Sequence, residues 1–514
     1  MINKYLNLLN FNFWIYKFEN LFNEIKIIDD LNNKNIIIMD HFNVIKAFLF
    51  RSFLIFCLKK KHNARILVFN YKFNFLFKKL YHFIGVNFFF KHNISFLKKN
   101  DLKKKSIKIF NSLKSNNDLL KLKIENIHIG IDIYETYLRN FNLPTVDIKD
   151  YKLLKLIYRY FFLKDQWDFL LNKFNLKAVI ISHRNYLDFN LLCKICYQRN
   201  IPVYTVTGDG TRYTRFYKDD VGFTKNYSLI FNKLSKIEKI KAILFSKKRL
   251  KLRFEGKVGI DMSYSTKSAF IKYNSKKIIV KKKKKISVLI CTHCFYDNPH
   301  AYKGMLFYDF YDWIKYLGVL SYKTNYDWYI KVHPDYLPGT LEIIKVLSKN
   351  FKNIKILDPN ISFHELAHFI DYALTCYGSV GHELPLLNIN VINADIYNPH
   401  CSFNFNFTPK SKKQYAKLIL NLDKRPSKLK YKEDIYKFYY IHNYYFSNFK
   451  LFFNSKKNYD KFNSIKNDKN YLFFYKKFMQ SNIKSIILKV DKFLNKDEKF
   501  SLPSSKLNVL NNFF

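Results

Sequence analysis

The sequence predicts an α/β protein of two doubly wound domains that face a cleft, followed by a helical C-terminal segment. Three observations carry this. Short apolar runs alternate with longer amphipathic ones, the rhythm of βα units on parallel sheets. The rhythm breaks once, at residues 256–285, where Gly256, Gly259, Ser263, Ser265 and Ser268 precede the lysine run 281–285. The chain's 514 residues also exceed the roughly 100–200 of an ordinary domain, so two domains are expected.

In the first domain, residues 1–255, the apolar runs 35–40 and 64–69 read as strands flanking an amphipathic helix over 44–59. A clearer βαβ unit follows. Residues 177–182 form a buried strand, 187–199 the crossover helix, and 202–206 a strand ending at Gly208-Asp209-Gly210. After the linker 256–285, the second domain spans 286–430. Its strands are 286–290, 327–332, 354–357, 372–375 and 390–393; its helices are 313–320, 341–350, 362–369 with Ser362 as N-cap, and 381–387. Residues 431–514 are helical, aromatic and lysine-rich. A ligand is expected at the carboxyl ends of the second-domain strands.

The formal charge of +49, from 89 Lys+Arg against 40 Asp+Glu, suggests a polyanionic partner. Only 11 of those 89 are arginine, the residue whose fork reads nucleic acid best. Lys, Asn, Ile, Tyr and Phe share A/T-rich codons, so compositional drift accounts for the bias, and no nucleic-acid partner is expected. The charge still suits an anionic inner-membrane surface or a phosphorylated substrate. Seven cysteines spread through a long chain point away from a disulfide framework and toward a reducing compartment. The pairs Cys193/Cys196 and Cys291/Cys294 have metal-ligand spacing, but one sits in a helical pattern and the other ends a strand, so no metal is expected. The N-terminus lacks the clean apolar run of a signal peptide. The window from Val44 to Leu58 carries Lys46 and Arg51 and falls short of the roughly 20 apolar residues of a membrane span. A cytoplasmic protein, with a peripheral place on the inner membrane, is the expectation.

Chemistry is expected at the strand ends. Lys331-Val332-His333-Pro334 closes one strand, where an imidazole and a cation can bind a phosphate and stabilise charge on it as it leaves. Thr375-Cys376-Tyr377-Gly378-Ser379-Val380-Gly381-His382-Glu383 joins a strand to a helix through small residues. These let the backbone approach a ligand, with Ser379 adding a hydroxyl and Glu383 an acceptor for ribose. In the first domain, His183 and Arg184 end a strand. His183 is placed to act as base toward an acceptor hydroxyl and Arg184 to bind an acidic acceptor. Asp297, His293 and His300 form a polar cluster after the first strand of the second domain.

Residues 286–398 resemble the capsule-polysaccharide biosynthesis group of GT-B glycosyltransferases. The resemblance rests on 293–300 (HCFYDNPH), 307–313 (FYDFYDW), the Lys-x-His-Pro element and 375–383, with weaker echoes at 129–134 and 182–186. It implies a GT-B-like fold and transfer of a sugar from a nucleotide-sugar donor to a glycan or lipid-linked acceptor, with no cofactor. The first domain would hold the acceptor and the second the donor. In related CMP-sugar-using sialyl and Kdo transferases, the His-Pro histidine and later hydroxyl residues contact the nucleotide phosphate. Those roles fall here on His333, with Lys331 beside it, and on Thr375, Gly378 and Ser379; Glu383 would meet the ribose. An acidic-acidic-glycine motif supplies the base in polysialyltransferase-like members. Its nearest counterpart is Asp209, where glycine replaces the first acidic residue. Two alternatives stand beside this reading: a CDP-glycerol-type polyol-phosphate transferase, and a non-enzymatic basic scaffold or nucleic-acid-binding protein.

Overall fold

The computed structural model describes residues 33–42, 44–70, 75–89, 96–207, 212–218, 223–258, 261, 266–271, 285–447, 451–453, 457–458, 461–462, 484–496 and 499–501. Thirteen strands lie among them. The first sheet contains β1 (Asn35–Asp40), β2 (Arg65–Phe69), β3 (Val86–Phe89), β6 (Asn175–Ile180), β7 (Val203–Val206) and β8 (Tyr213–Phe216), in the order β3-β2-β1-β6-β7-β8. All neighbours are parallel except β7 and β8. A separate hairpin pairs β4 (Lys123–Ile124) with β5 (Ile127–His128). The second sheet contains β9 (Ser287–Cys291), β10 (Asp327–Lys331), β11 (Ile354–Ile356), β12 (Tyr372–Thr375) and β13 (Asn390–Asn393), wholly parallel in the order β11-β10-β9-β12-β13. Both sheets start at a central strand, wind outward one way and then the other, as doubly wound Rossmann-like domains do.

Continuous apolar strands are what such sheets require, because helices cover both faces. Alternate residues accordingly serve different cores. Ile37 and Met39 pack with the helix Ile45–His62, while Ile36 and Ile38 face the helices Gly130–Phe141, Tyr151–Lys173 and Leu187–Gln198. In the second sheet Val288 and Ile290 meet Trp313 of the helix Phe310–Ser321, and Leu289 and Cys291 face the opposite layer. Residues 266–271, within the predicted linker, join that opposite layer through Phe270, and Asp335 accepts from Thr266 N at 2.8 Å.

The sequence reading overlaps every strand of the second sheet. Two of its helices are shorter in the structure. Ser362 caps as expected, with a full capping box, but the helix it opens is only Phe363–Leu366, because Phe369 and Ile370 turn into the core ahead of β12. The helix expected over 381–387 is one turn, Val380–Glu383, continued as a tighter turn Leu384–Leu387. Pro385 has no N–H for an α-helical bond there. Strands β3 and β8 and the long helices Phe96–Ser112 and Tyr151–Lys173 were not foreseen.

The two domains meet over several polar contacts. Tyr134 Oη donates to Asp309 Oδ2, His300 N to Glu135 Oε1 at 3.0 Å, and Tyr186 Oη to Asp297 Oδ1 at 3.0 Å. The segments 129–134, 293–300 and 307–313, singled out in the sequence, thus contribute to this joint. The C-terminal segment then crosses both domains. The helix Glu433–Tyr440 and the π-helical turn Ile441–Tyr445 pack on Tyr227, Phe231 and Phe245. Residues 484–495 are helical and return to the first domain, where Lys61 Nζ donates to Leu494 O at 2.9 Å.

Candidate functional site

A cavity of about 630 Å³ opens at the carboxyl edge of the second sheet, where β9, β10 and β12 end. Its lining includes His333, Thr375, Gly378 and Ser379 of the expected site, together with His293. The histidine of the His-Pro element leaves β10 just past Lys331. Its Nδ1 accepts from Asp335 N at 3.0 Å, which places the ring proton on Nε2 in the neutral form. Although the imidazole opens onto the cavity, the surrounding protein desolvates it, and the charges of Lys331 and Arg253 oppose a further proton; its pKa is lowered to about 4. His333 is therefore a neutral N–H donor at pH 7.

The β12 end is organised around a second imidazole. Thr375 Oγ1 accepts from Gly378 N at 3.2 Å and lies 3.0 Å from His293 Nε2, which also accepts from Cys376 N at 3.2 Å. With Nε2 an acceptor, His293 carries its proton on Nδ1. The ring lies flat on Phe310, centroids 4.6 Å apart and planes within 12°. Burial lowers its pKa to about 4. A side chain at Gly378 would begin 3.0 Å from Thr375 Oγ1 and 3.4 Å from His293 Cε1, so the turn is tight against its neighbours.

The remaining second-domain candidates take other places. Lys331 is 3% exposed, donates to Pro359 O at 2.8 Å, and does not line the cavity; burial lowers its pKa to about 8. Glu383 is also buried outside the lining. Its Oε1 receives Arg253 Nε, and its Oε2 receives Ser379 Oγ at 3.3 Å. Arg253, which sequence reasoning passed over, lines the cavity and is the one arginine or lysine among the described residues that does. It arrives from the end of the helix Lys236–Phe254, far away in sequence.

A histidine-rich part of the lining was also missed. It comprises His382, His400, Phe438, Tyr439, His442 and Asn443. His382 Nδ1 and His400 Nε2 share a hydrogen bond at 3.2 Å, and His442 stacks on Phe438 with centroids 5.1 Å apart. Burial holds His382 and His400 well below the ordinary imidazole range and His442 at about 4. A π-helical turn presents His442 and Asn443, a geometry common at functional sites. The available signal was a His-Asn pair within an otherwise aromatic and basic tail.

His183 and Arg184 do not line this cavity. His183 follows β6, its Nδ1 lying 2.7 Å from Ser182 Oγ, and Ser182 Oγ donates to Asp40 Oδ2. That hydroxyl has a single proton, so His183 Nδ1 is the donor and Nε2 keeps a free lone pair, as a base needs. Arg184 stacks over Phe216 with its guanidinium carbon 3.8 Å from the ring centre. Asp209 lies outside the described residues. Among the described residues no group of three or more His, Cys, Asp or Glu could hold a metal ion, and no helix is long and apolar enough to cross a membrane.

No protein-family model and no curated protein matches the sequence. Solved structures similar to it include the β-Kdo 2,4 transferase KpsC of Thermosulfurimonas dismutans, at 13% identity and TM-score 0.30 over 52% of this chain and 79% of that one. A glycosyltransferase of Rickettsia africae matches at 12% identity and TM-score 0.24 over 88% and 100%. A UDP-GlcNAc 2-epimerase of Neisseria meningitidis bound to UDP-GlcNAc matches at 12% and 0.23 over 80% and 96%. At such scores, the site rests on the residues of this chain alone.

Proposed function

We propose that this chain is a glycosyltransferase that takes a sugar from a nucleotide-sugar donor and passes it to a glycan or lipid-linked acceptor in surface polysaccharide assembly. The observation that carries the reading is the cavity at the second sheet's carboxyl edge. There a neutral His333 Nε2–H, the Arg253 guanidinium and the Thr375-to-Ser379 turn meet. Asp261 and Asp335 also line the cavity, but Arg249 pairs with the first and Thr266 and Lys267 donate to the second, which leaves Arg253 and the His333 N–H to meet a phosphate; the sequence resemblance assigns the same His-Pro and Gly-Ser residues to the donor phosphate. A cavity of about 630 Å³ also falls within the roughly 300–1,000 Å³ of small-molecule sites.

In this mechanism the donor diphosphate or monophosphate lies between His333 and Arg253, which stabilise negative charge as the glycosidic bond breaks. Glu383 holds the Arg253 side chain from behind and does not contact ribose. The acceptor hydroxyl approaches from the first domain, where His183 Nε2 or Asp209 removes its proton. No bound metal is needed for this scheme.

A thermal-shift panel of CMP, CDP, UDP, GDP and their sugar conjugates tests it. A ligand at 100 times its Kd raises stability by roughly 2.7 kcal/mol. At least one nucleotide should shift wild type, and His333→Ala should weaken that ligand by roughly ten- to hundredfold, since a hydrogen bond to a charged group is worth about 1.5–3 kcal/mol. A cytidine preference narrows the donor to a CMP-sugar or CDP-polyol, and turnover with each conjugate separates sugar from polyol-phosphate transfer. Absence of any shift would overturn the reading.

A further inference from the structure

The helix Lys236–Phe254 has a face that stands exposed among the described residues. Ile237, Ile240 and Leu244 are 61%, 51% and 51% exposed, and Leu229 on the preceding helix is 60% exposed. The three aliphatics follow i, i+3, i+7 spacing and so form one stripe. Lys236, Lys247, Lys248 and Lys251 fall on the same side by helical periodicity and are exposed. The inner face, by contrast, buries Ala242, Phe245, Ser246 and Leu250. Glu238 belongs to the capping box with Ser235, and Glu255, past the helix end, lies 3.9 Å from Lys251. No acidic side chain interrupts the stripe itself.

We propose that this face docks the protein on an anionic lipid bilayer. Exposed aliphatics beside lysines are the composition of an interfacial helix, whose apolar side chains enter the acyl boundary while ammonium groups meet the headgroups. Each lysine near such a surface contributes about 1 kcal/mol, and the four named here lie within one face. A nucleic acid is a poorer fit, since the stripe has neither arginine forks for bases nor aromatic rings for stacking. The same helix carries Arg253 into the cavity, about 14 Å along the axis from Leu244 at 1.5 Å per residue. Docking would therefore hold the cavity near the membrane surface, where a lipid-linked acceptor resides. This inference does not depend on nucleotide binding.

Co-sedimentation of the full chain with vesicles of phosphatidylcholine containing about 30% phosphatidylglycerol tests it, with pure phosphatidylcholine vesicles as the neutral arm. Wild type should bind the anionic vesicles and not the neutral ones, and should be released as salt rises. The Ile240→Asp/Leu244→Asp variant should bind at least about tenfold more weakly and the Lys247→Glu/Lys248→Glu/Lys251→Glu variant at least about a hundredfold, with Tm preserved because all five positions are exposed. Wild-type binding that both variants retain, or no wild-type binding, would overturn the proposal. So would loss of duplex RNA binding in both variants, with vesicles left unbound by wild type.

Discussion

The carboxyl edges of the two sheets occupy equivalent positions in a shared topology, and they are filled in opposite ways. In the first sheet β1 ends in Asp40, fully buried, whose carboxylate meets Arg51 Nη1 at 3.0 Å and Ser182 N at 3.0 Å. Charge and hydrogen bonds hold the end of this strand. In the second sheet β12 ends in Thr375, and a Gly-Ser turn with neutral imidazoles leaves a cavity of about 630 Å³. Strand order therefore places a potential site, whereas the residues one to four positions past each strand decide whether a ligand can enter.

The strongest way to break this contrast is Asp40→Ala. It strands Arg51, which is 3% exposed, without its carboxylate, and should lower stability by about 3–5 kcal/mol in urea unfolding. An equal loss of affinity for a nucleotide under folded conditions would show that the first edge serves the ligand as well. A milder change would show that Arg51 finds water.

Acidification attacks the second edge instead. His293 and His442 are held at about 4, and His382 and His400 well below the ordinary 6.5, all chiefly by burial. As pH falls below 6.5 the unfolded chain binds protons that the folded chain refuses, so stability is retained above that pH and lost toward about 4. Between about pH 7 and pH 5.5 each of these imidazoles should remove about 1 kcal/mol, read from urea midpoints. His382→Gln should flatten the slope; an unchanged slope would remove this wall from the account.

The smallest change sharpens the comparison locally. A Cβ at Gly381 would overlap the ring of His400. Gly381→Ala should therefore cost about 1–3 kcal/mol and shift His400 against its His382 partner, while the same change at an exposed position would be near neutral. Nucleotide affinity measured on the still-folded variant then tells whether the histidine wall touches the ligand.

Much of this architecture was legible from residue pattern. The run 372–375 is a strand in both readings because its four side chains are all buried and a parallel sheet covered on both faces needs such a run. His333 and the 375–379 turn were singled out because strand ends in doubly wound sheets face ligands, and the structure sets them on one cavity. Arg253 and His400 were not, since nothing within their local sequence points to a cavity, and Asn443 offered only its place beside His442; they arrive on a long helix, a loop and a π-helical turn. Glu383, chemically suited to ribose, is held by an arginine 130 positions away, a partner its local sequence does not announce.

By itself, then, the sequence determined which segments become buried strands and that a histidine and small residues stand at one sheet edge. These are properties of local hydrophobic period and turn chemistry. Only the tertiary structure decided which charges reach that edge, which tautomer each imidazole holds, and which lysines share an exposed face with Ile240 and Leu244. Those depend on burial and on partners distant in sequence, and electrostatic environment is set by whatever packs around a group, not by its neighbours along the chain.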